Sequence, residues 1–189
     1  MRVPYRDILD YLGYRGKAAD DNTLRLVKES LSELLELNSL RNTYEIWECS
    51  VDDSEVHFSD LTINSERLAR HLKGCRYVSL FALTLGAQVD TLIRRYQISN
   101  MPKAVIFDAT ASVMAGKFVD DLEDEICSVL PLNAMKKTIR FSPGYGDFEL
   151  SHQKDILERL DAARKIGLVM SDGYMLLPSK SITALAGFY

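Results

Sequence analysis

The chain has 189 residues, is 47% hydrophobic and 26% charged, and carries a net charge of −4, a profile that predicts one soluble globular domain. Its charges are interspersed and offer no basic footprint for nucleic acid, and no run approaches the roughly 20 apolar residues of a membrane helix. Cys49, Cys75, Cys127, His57, His71 and His152 are scattered without C-x-x-C or H-E-x-x-H spacing, so neither a disulfide framework nor a metal centre is expected. The charged opening "MRVPYRDILDYLGYRG" lacks the apolar segment of a signal peptide, and with cysteines odd in number and widely spaced the chain reads as cytoplasmic.

In chain order, a short amphipathic stretch (Ile8, Leu9, Leu12) is broken by Gly13 and Gly16. Asp20 or Asp21 then caps a helix whose Leu24, Val27, Leu31, Leu34 and Leu35 fall at helical spacing. "NTYEIWE" and "SEVHFSDLTI" flank "CSVDD" as a β-hairpin, and Ser65 opens a short helix that Gly74 closes. "RYVSLFALTLG" is a nearly continuous apolar run suited to a strand buried on both faces. Gly86 follows it and leads into the helix "AQVDTLIRRY". No G-x-G-x-x-G fingerprint accompanies Gly86, which reads as a helix-entry turn that also fits the edge of a site.

The longest helix is expected from about Lys103 to Val129. Ala104, Asp108, Ala111 or Ser112, and Ala115 give it a face of small side chains for close packing, and "DDLEDE" reads as its solvated end. "MKKTIRF" alternates as a strand over 135–142, with Ile139 and Phe141 on one side and Thr138, Arg140 and Ser142 on the other. That strand delivers Arg140 to the loop Pro143-Gly144-Tyr145-Gly146, which is either a tight turn holding a tyrosine or a backbone that comes close to a ligand. Ser151 caps a helix with the stripe Ile156, Leu157, Leu160, Ala163 and Ile166, ended by Gly167. "LVMSDGYMLL" reads as a hairpin over 168–177 turning at Ser171-Asp172-Gly173, and "SITALAGFY" as a last strand over 181–188.

A hairpin leaves no room for a crossover helix. The expected fold is therefore α+β, a single domain over 1–189 with a largely antiparallel sheet flanked by helices. Its core strands are placed near 76–84, 135–142, 168–177 and 181–188, with a helical and hairpin part over 1–75 and a ligand-binding core over 76–189.

The order Arg140, Gly144, Tyr145, then an amphipathic helix ending in Ile-Gly, a hairpin, and Pro178 and Ser181 before an apolar strand resembles the activation domain of cobalamin-dependent methionine synthase. The specific match spans residues 140–188, and "ASVMAGKFVDDLEDEI" is similar in pattern. The resemblance implies a module that binds S-adenosylmethionine and supports reductive methylation of cob(II)alamin, a reactivation half-reaction in methionine biosynthesis. It implies that Arg140 pairs with the ligand carboxylate, that Pro143, Gly144 and Gly146 bring main chain close to the ligand, that Tyr145 lies near the sulfonium or adenine, and that Asp120 holds the ammonium. No catalytic acid, base or nucleophile is needed.

Two departures from that family stand out: "GDFELSHQ" replaces a stretch richer in Pro and Cys, and "GKFVDD" replaces a more glutamate-rich helix. The chain also lacks D-x-H-x-x-G, so the resemblance implies action in trans on a cobalamin-binding methyltransferase subunit, with a low-potential electron donor such as a flavodoxin or ferredoxin. A reactivator of another corrinoid methyltransferase, or a non-catalytic S-adenosylmethionine-binding or interaction module, are the alternatives.

Overall fold

The computed structural model describes residues 3–131 and 136–189, and in it the cap at Asp20 opens the first long helix. After α1 (Tyr5–Tyr11), α2 (Asp21–Leu37) starts where the Asp20 carboxylate accepts from the Thr23 N–H at 2.9 Å and from its hydroxyl at 2.8 Å. Its buried positions are Thr23, Leu26, Val27, Ser30 and Leu34. Leu24 and Leu35, expected on the inner face, are exposed. The leucines surround more than one stripe, and the one that contains the small Ser30 is buried in the fold.

The expected hairpin is a three-strand meander, β1 (Arg41–Val51), β2 (Glu55–Phe58) and β3 (Leu61–Asn64), because Ser59-Asp60 makes a second turn with Ser59 at φ 53°. α3 (Glu66–His71) is capped by Ser65, whose hydroxyl accepts from Leu68 N–H at 3.0 Å. β4 (Tyr77–Thr84) is buried along nearly its whole length, as its apolar run predicts. α4 (Ala87–Ser99) and α5 (Met101–Val129) follow, separated at Asn100, whose side chain accepts from Lys103 N–H at 3.2 Å.

The helix expected after Ser151 is two pieces, α6 (Gln153–Arg159) and α7 (Ala162–Ile166), broken at Asp161 with φ 49°. The break turns Ala162 inward and leaves Ala163, expected in the core, exposed. The Ser151 hydroxyl bonds the Glu149 carboxylate and makes no cap. The chain ends in β5 (Val169–Met170), β6 (Leu176–Leu177) and β7 (Ser181–Phe188).

The main sheet has the order β3-β2-β1-β4-β7 with every neighbour antiparallel, so strands from both halves of the chain share one sheet. Two expectations about its core are corrected. β5 and β6 pair over two residues each in a separate ribbon, and β1 takes the interior place beside β4.

The expected strand over 135–142 begins at Met135, which lies outside the described residues, and its remainder runs along β7 with only two bridges, Lys137 to Phe188 and Phe141 to Leu185. Four residue steps on one side oppose three on the other, which is a one-residue bulge. The bulge breaks the alternation: Phe141 packs into the core while Ile139, expected beside it, is 81% exposed.

Alternation along β4 and β7 divides the interior in two. Phe81, Leu83, Ala184, Ala186 and Phe188 face a layer built from α1, α2, α4 and α5. Val78, Leu80, Ala82 and Leu185 face α3, α6 and α7. On α5 the expected small residues Ala104, Ala111 and Ala115 are buried, as close packing of a helix on a sheet requires. Among the described residues no helix is long and apolar enough to cross a membrane.

Candidate functional site

The Pro-Gly-Tyr-Gly loop borders a groove of about 490 Å³, a volume typical of small-molecule sites. Arg140, Pro143 and Tyr145 line it together with Tyr174 from the β5–β6 connection and with Gln153 and Thr183. The structure thus brings three of the expected site residues together. Asp120, Gly144 and Gly146 are not among the lining residues.

Arg140 Nη1 donates to Asp120 Oδ1 at 2.8 Å and to Glu123 Oε1 at 3.3 Å, both on α5. Burial acts against the guanidinium charge, but the bonds and charges of these carboxylates outweigh it and raise the Arg140 pKa. Asp120, expected to await a ligand ammonium, is Arg140's partner and lies 3.7 Å from Lys117 Nζ as well. Glu123 is only 5% exposed, and its Oε2 lies 3.3 Å from Lys137 Nζ. Burial also opposes the Lys137 charge, and its bond to Asp124 with the Glu123 charge raises its pKa overall.

Tyr145 is 59% exposed and rests edge-on against Phe141, with ring centroids 5.9 Å apart at 84°. Phe141 touches the ring of His71 at 5.1 Å, and His71 Nε2 bonds the Ile139 carbonyl at 2.5 Å. The aromatic face offered to the groove therefore stands on a packed cluster.

The two loop glycines face the protein. Gly144 has φ +92° and its N–H donates to Phe148 O at 2.7 Å, while the Tyr145 N–H donates to Ser142 O at 3.1 Å. Those two donors are engaged inside the loop. Gly146 has φ +63°, and a Cβ there would lie 2.4 Å from Arg67 Cδ. Asp147 then accepts from the Ser65 hydroxyl at 2.5 Å and from Glu66 N–H at 2.9 Å. The Ser65 bond first, with the α3 backbone N–H groups, lowers the Asp147 pKa.

The Pro178/Ser181 pair is a turn lock: the Ser181 hydroxyl donates to Pro178 O at 2.7 Å. Between them Ser179 is bonded by Asp90, and Lys180 Nζ reaches Asp108 at 2.9 Å, which gives the polar member of the small-residue face its partner.

Sequence reasoning passed over Glu123, Tyr174 and the buried bond from Thr183 Oγ1 to Gln153 Oε1 at 3.0 Å. Glu123 had a signal: it lies four residues after the buried Val119 and three before the buried Ile126, on one helical face. Tyr174, held at φ 60° after Gly173, had none.

No protein-family model and no curated protein matches the chain. Among solved structures it is similar to the MetH reactivation domain bound to AdoHcy, with a TM-score of 0.70 and 14% identity over 99% of this chain and 70% of that one. The fold of this chain, a single domain with a curled antiparallel sheet flanked by helices, is the fold of that reactivation domain.

Proposed function

We propose that this chain binds S-adenosylmethionine in the groove beside Tyr145 and supports reductive methylation of cob(II)alamin held by a separate cobalamin-binding methyltransferase subunit, a methionine synthase in the first instance. The observation that carries this reading is the convergence of Arg140, Pro143 and Tyr145 on one groove of about 490 Å³, in a fold shared with a domain that has AdoHcy bound.

Both bonds from Arg140 to carboxylates run through Nη1, so among the described residues its Nε–Nη2 edge is left for the ligand carboxylate. The exposed Tyr145 ring offers a π face to a sulfonium, a contact of about 0.5–2 kcal/mol depending on desolvation. The sulfonium brings an activated methyl group and the partner's reduced corrinoid brings the nucleophile. This chain's own residues bind the ligand, orient its methyl group and shield it from water.

Calorimetric titration with S-adenosylmethionine and with S-adenosylhomocysteine tests the ligand. Heat from either that is lost in Arg140→Ala supports the assignment, and no heat from both overturns it. Mixing the chain with a cob(II)alamin-loaded methyltransferase, a low-potential reductant such as reduced flavodoxin, and S-adenosylmethionine tests the role. Faster appearance of the methylcobalamin spectrum is expected. Binding without acceleration on methionine synthase would instead assign the chain to another corrinoid methyltransferase or to ligand binding alone.

A further inference from the structure

On the far side of the meander, away from the groove, three side chains that the sequence spreads as D-x-x-E-x-H converge. The β1–β2 turn is closed by the Asp52 N–H donating to Glu55 O at 2.9 Å, and β2 then carries Glu55 and His57 two residues apart on one face. Val56 and Phe58, on the other face, are buried in the core, so the Glu55/His57 face looks outward. There His57 Nε2 lies 3.2 Å from Asp52 Oδ2 and 3.4 Å from Glu55 Oε2, and the three ligand atoms all lie within 4.8 Å of one another.

The two separations from His57 Nε2, 3.2 and 3.4 Å, are those of neighbouring ligand atoms around one metal ion. With bonds of about 2.1 Å, neighbouring donors stand roughly 3.0 Å apart in an octahedron and 3.4 Å apart in a tetrahedron. The other ring nitrogen is also placed: His57 pairs across the sheet with Thr62, and Nδ1 lies 3.0 Å from the Thr62 hydroxyl. A proton on Nδ1 donated to Thr62 turns the Nε2 lone pair toward the two carboxylates, an arrangement that is repulsive when the space between them is empty and favourable when a cation fills it. An outer partner on the non-ligating nitrogen is the usual companion of a metal-binding histidine.

We propose that Asp52, Glu55 and His57 form a divalent transition-metal site, separate from the groove, with open positions for water. One imidazole and two carboxylates suit Zn²⁺, Co²⁺, Ni²⁺ or Mn²⁺ and disfavour Mg²⁺, which takes oxygen ligands. The signal is absent from a motif search because the hairpin turn, and no helical or C-x-x-C spacing, brings the donors together.

The test uses the full chain stripped with chelator and kept reduced. Calorimetry with ZnCl₂ should give one site unaffected by millimolar Mg²⁺, weakened at least tenfold in His57→Gln and in Asp52→Asn, and roughly tenfold in Thr62→Val. Long-range ¹H–¹⁵N spectra should show Zn²⁺ moving the His57 Nε2 resonance while those of His71 and His152 stay in place. Zn²⁺ binding that survives His57→Gln unchanged places the metal on other donors and overturns the proposal. So does a wild-type protein whose His57 resonances ignore Zn²⁺, which leaves a histidine–carboxylate ion pair only. Circular dichroism of each variant confirms that a loss of binding is not a loss of fold.

Discussion

Arg140→Ala separates the bracing role that the structure shows for this residue from the ligand-binding role that the proposed function assigns to it. The change removes both bonds from Nη1. The Asp120 carboxylate is 46% exposed and regains water, so its share is near the 0–1 kcal/mol of surface pairs. Glu123 is 5% exposed and among the described residues keeps Lys137 alone as a side-chain partner, which costs on the order of 1–2 kcal/mol. The sum is about 2 kcal/mol, and for a domain of this size it lowers Tm by about 4–8 °C.

Under the proposed function, Arg140→Ala also loses a charge-assisted contact to the ligand carboxylate, which should cost roughly 1.5–3 kcal/mol, about a ten- to hundredfold fall in affinity. Adding Glu123→Gln removes the buried charge and should restore about half of the lost stability while leaving affinity low. Scanning calorimetry reads the first quantity, and titration with S-adenosylhomocysteine, which transfers no methyl group, reads the second. A double variant that melts no later than Arg140→Ala refutes the buried-charge account. An Arg140→Ala protein that binds as tightly as wild type makes Arg140 a brace for α5 and nothing more.

Gly146→Ala should cost about 1–2 kcal/mol for a side chain in the left-handed region, measured by denaturant midpoint. Adding Arg67→Ala should recover only a minor part, since it clears the contact with Arg67 Cδ and leaves the backbone strain. Asp20 is held below its usual pKa of 3.8 by Thr23, through its N–H first and then its hydroxyl, and Asp147 by Ser65 and the α3 N–H groups. Depressed carboxylates stabilise the fold above about pH 4 and lose that contribution as pH falls through their folded values. Stability followed from pH 5 to pH 2 should therefore fall less steeply in Asp20→Asn and Asp147→Asn than in wild type, and an identical slope would contradict the assignment. Burial, with a smaller effect from Cys75, pushes the Cys49 thiol up to about 11. Cys49 should therefore resist iodoacetamide at pH 7.5 until the protein unfolds, as peptide mass spectrometry will show.

The sequence made the buried strand legible because β4 needs nothing but a long apolar run, and α2 because Asp20 and the periodic leucines agree. The last strand, 181–188, needs only its apolar residues and appears with those bounds. What stayed hidden depends on contacts distant in sequence. The bulge between 137 and 141 exists only in register with β7, so strict alternation misplaced Ile139. The break at Asp161 puts a non-glycine residue at positive φ inside an otherwise good helical pattern. Arg140 and Tyr145 were visible as a motif, yet the partners of Arg140 lie 17 and 20 residues away, in a run that reads as solvent-facing charge. Glu123 breaks that reading because helical geometry turns one member of "DDLEDE" inward beside Val119 and Ile126.

The loop's composition now has a cause that acts before any ligand does. Two glycines at positive φ let five residues fold back so that Gly144 and Phe148 are joined, and Asp147 then reaches the start of α3, 82 residues earlier in the chain. Closing so long a separation through one carboxylate fixes the loop against a second element. The aromatic cluster under Tyr145 ties it to the same helix again, because Phe141 packs on the ring of His71 at the end of α3. Arg140 is restrained in the same way, because two carboxylates on α5 hold Nη1 and thereby set the plane of the guanidinium. A planar fork whose orientation is already set loses little rotamer freedom when its other edge meets a carboxylate. Its charge is largely balanced, so the gain on binding comes from directed hydrogen bonds more than from net attraction. Under the proposed function, such a site would select a ligand by where its carboxylate and its apolar ring sit relative to each other, as a reaction governed by the direction of one methyl group requires.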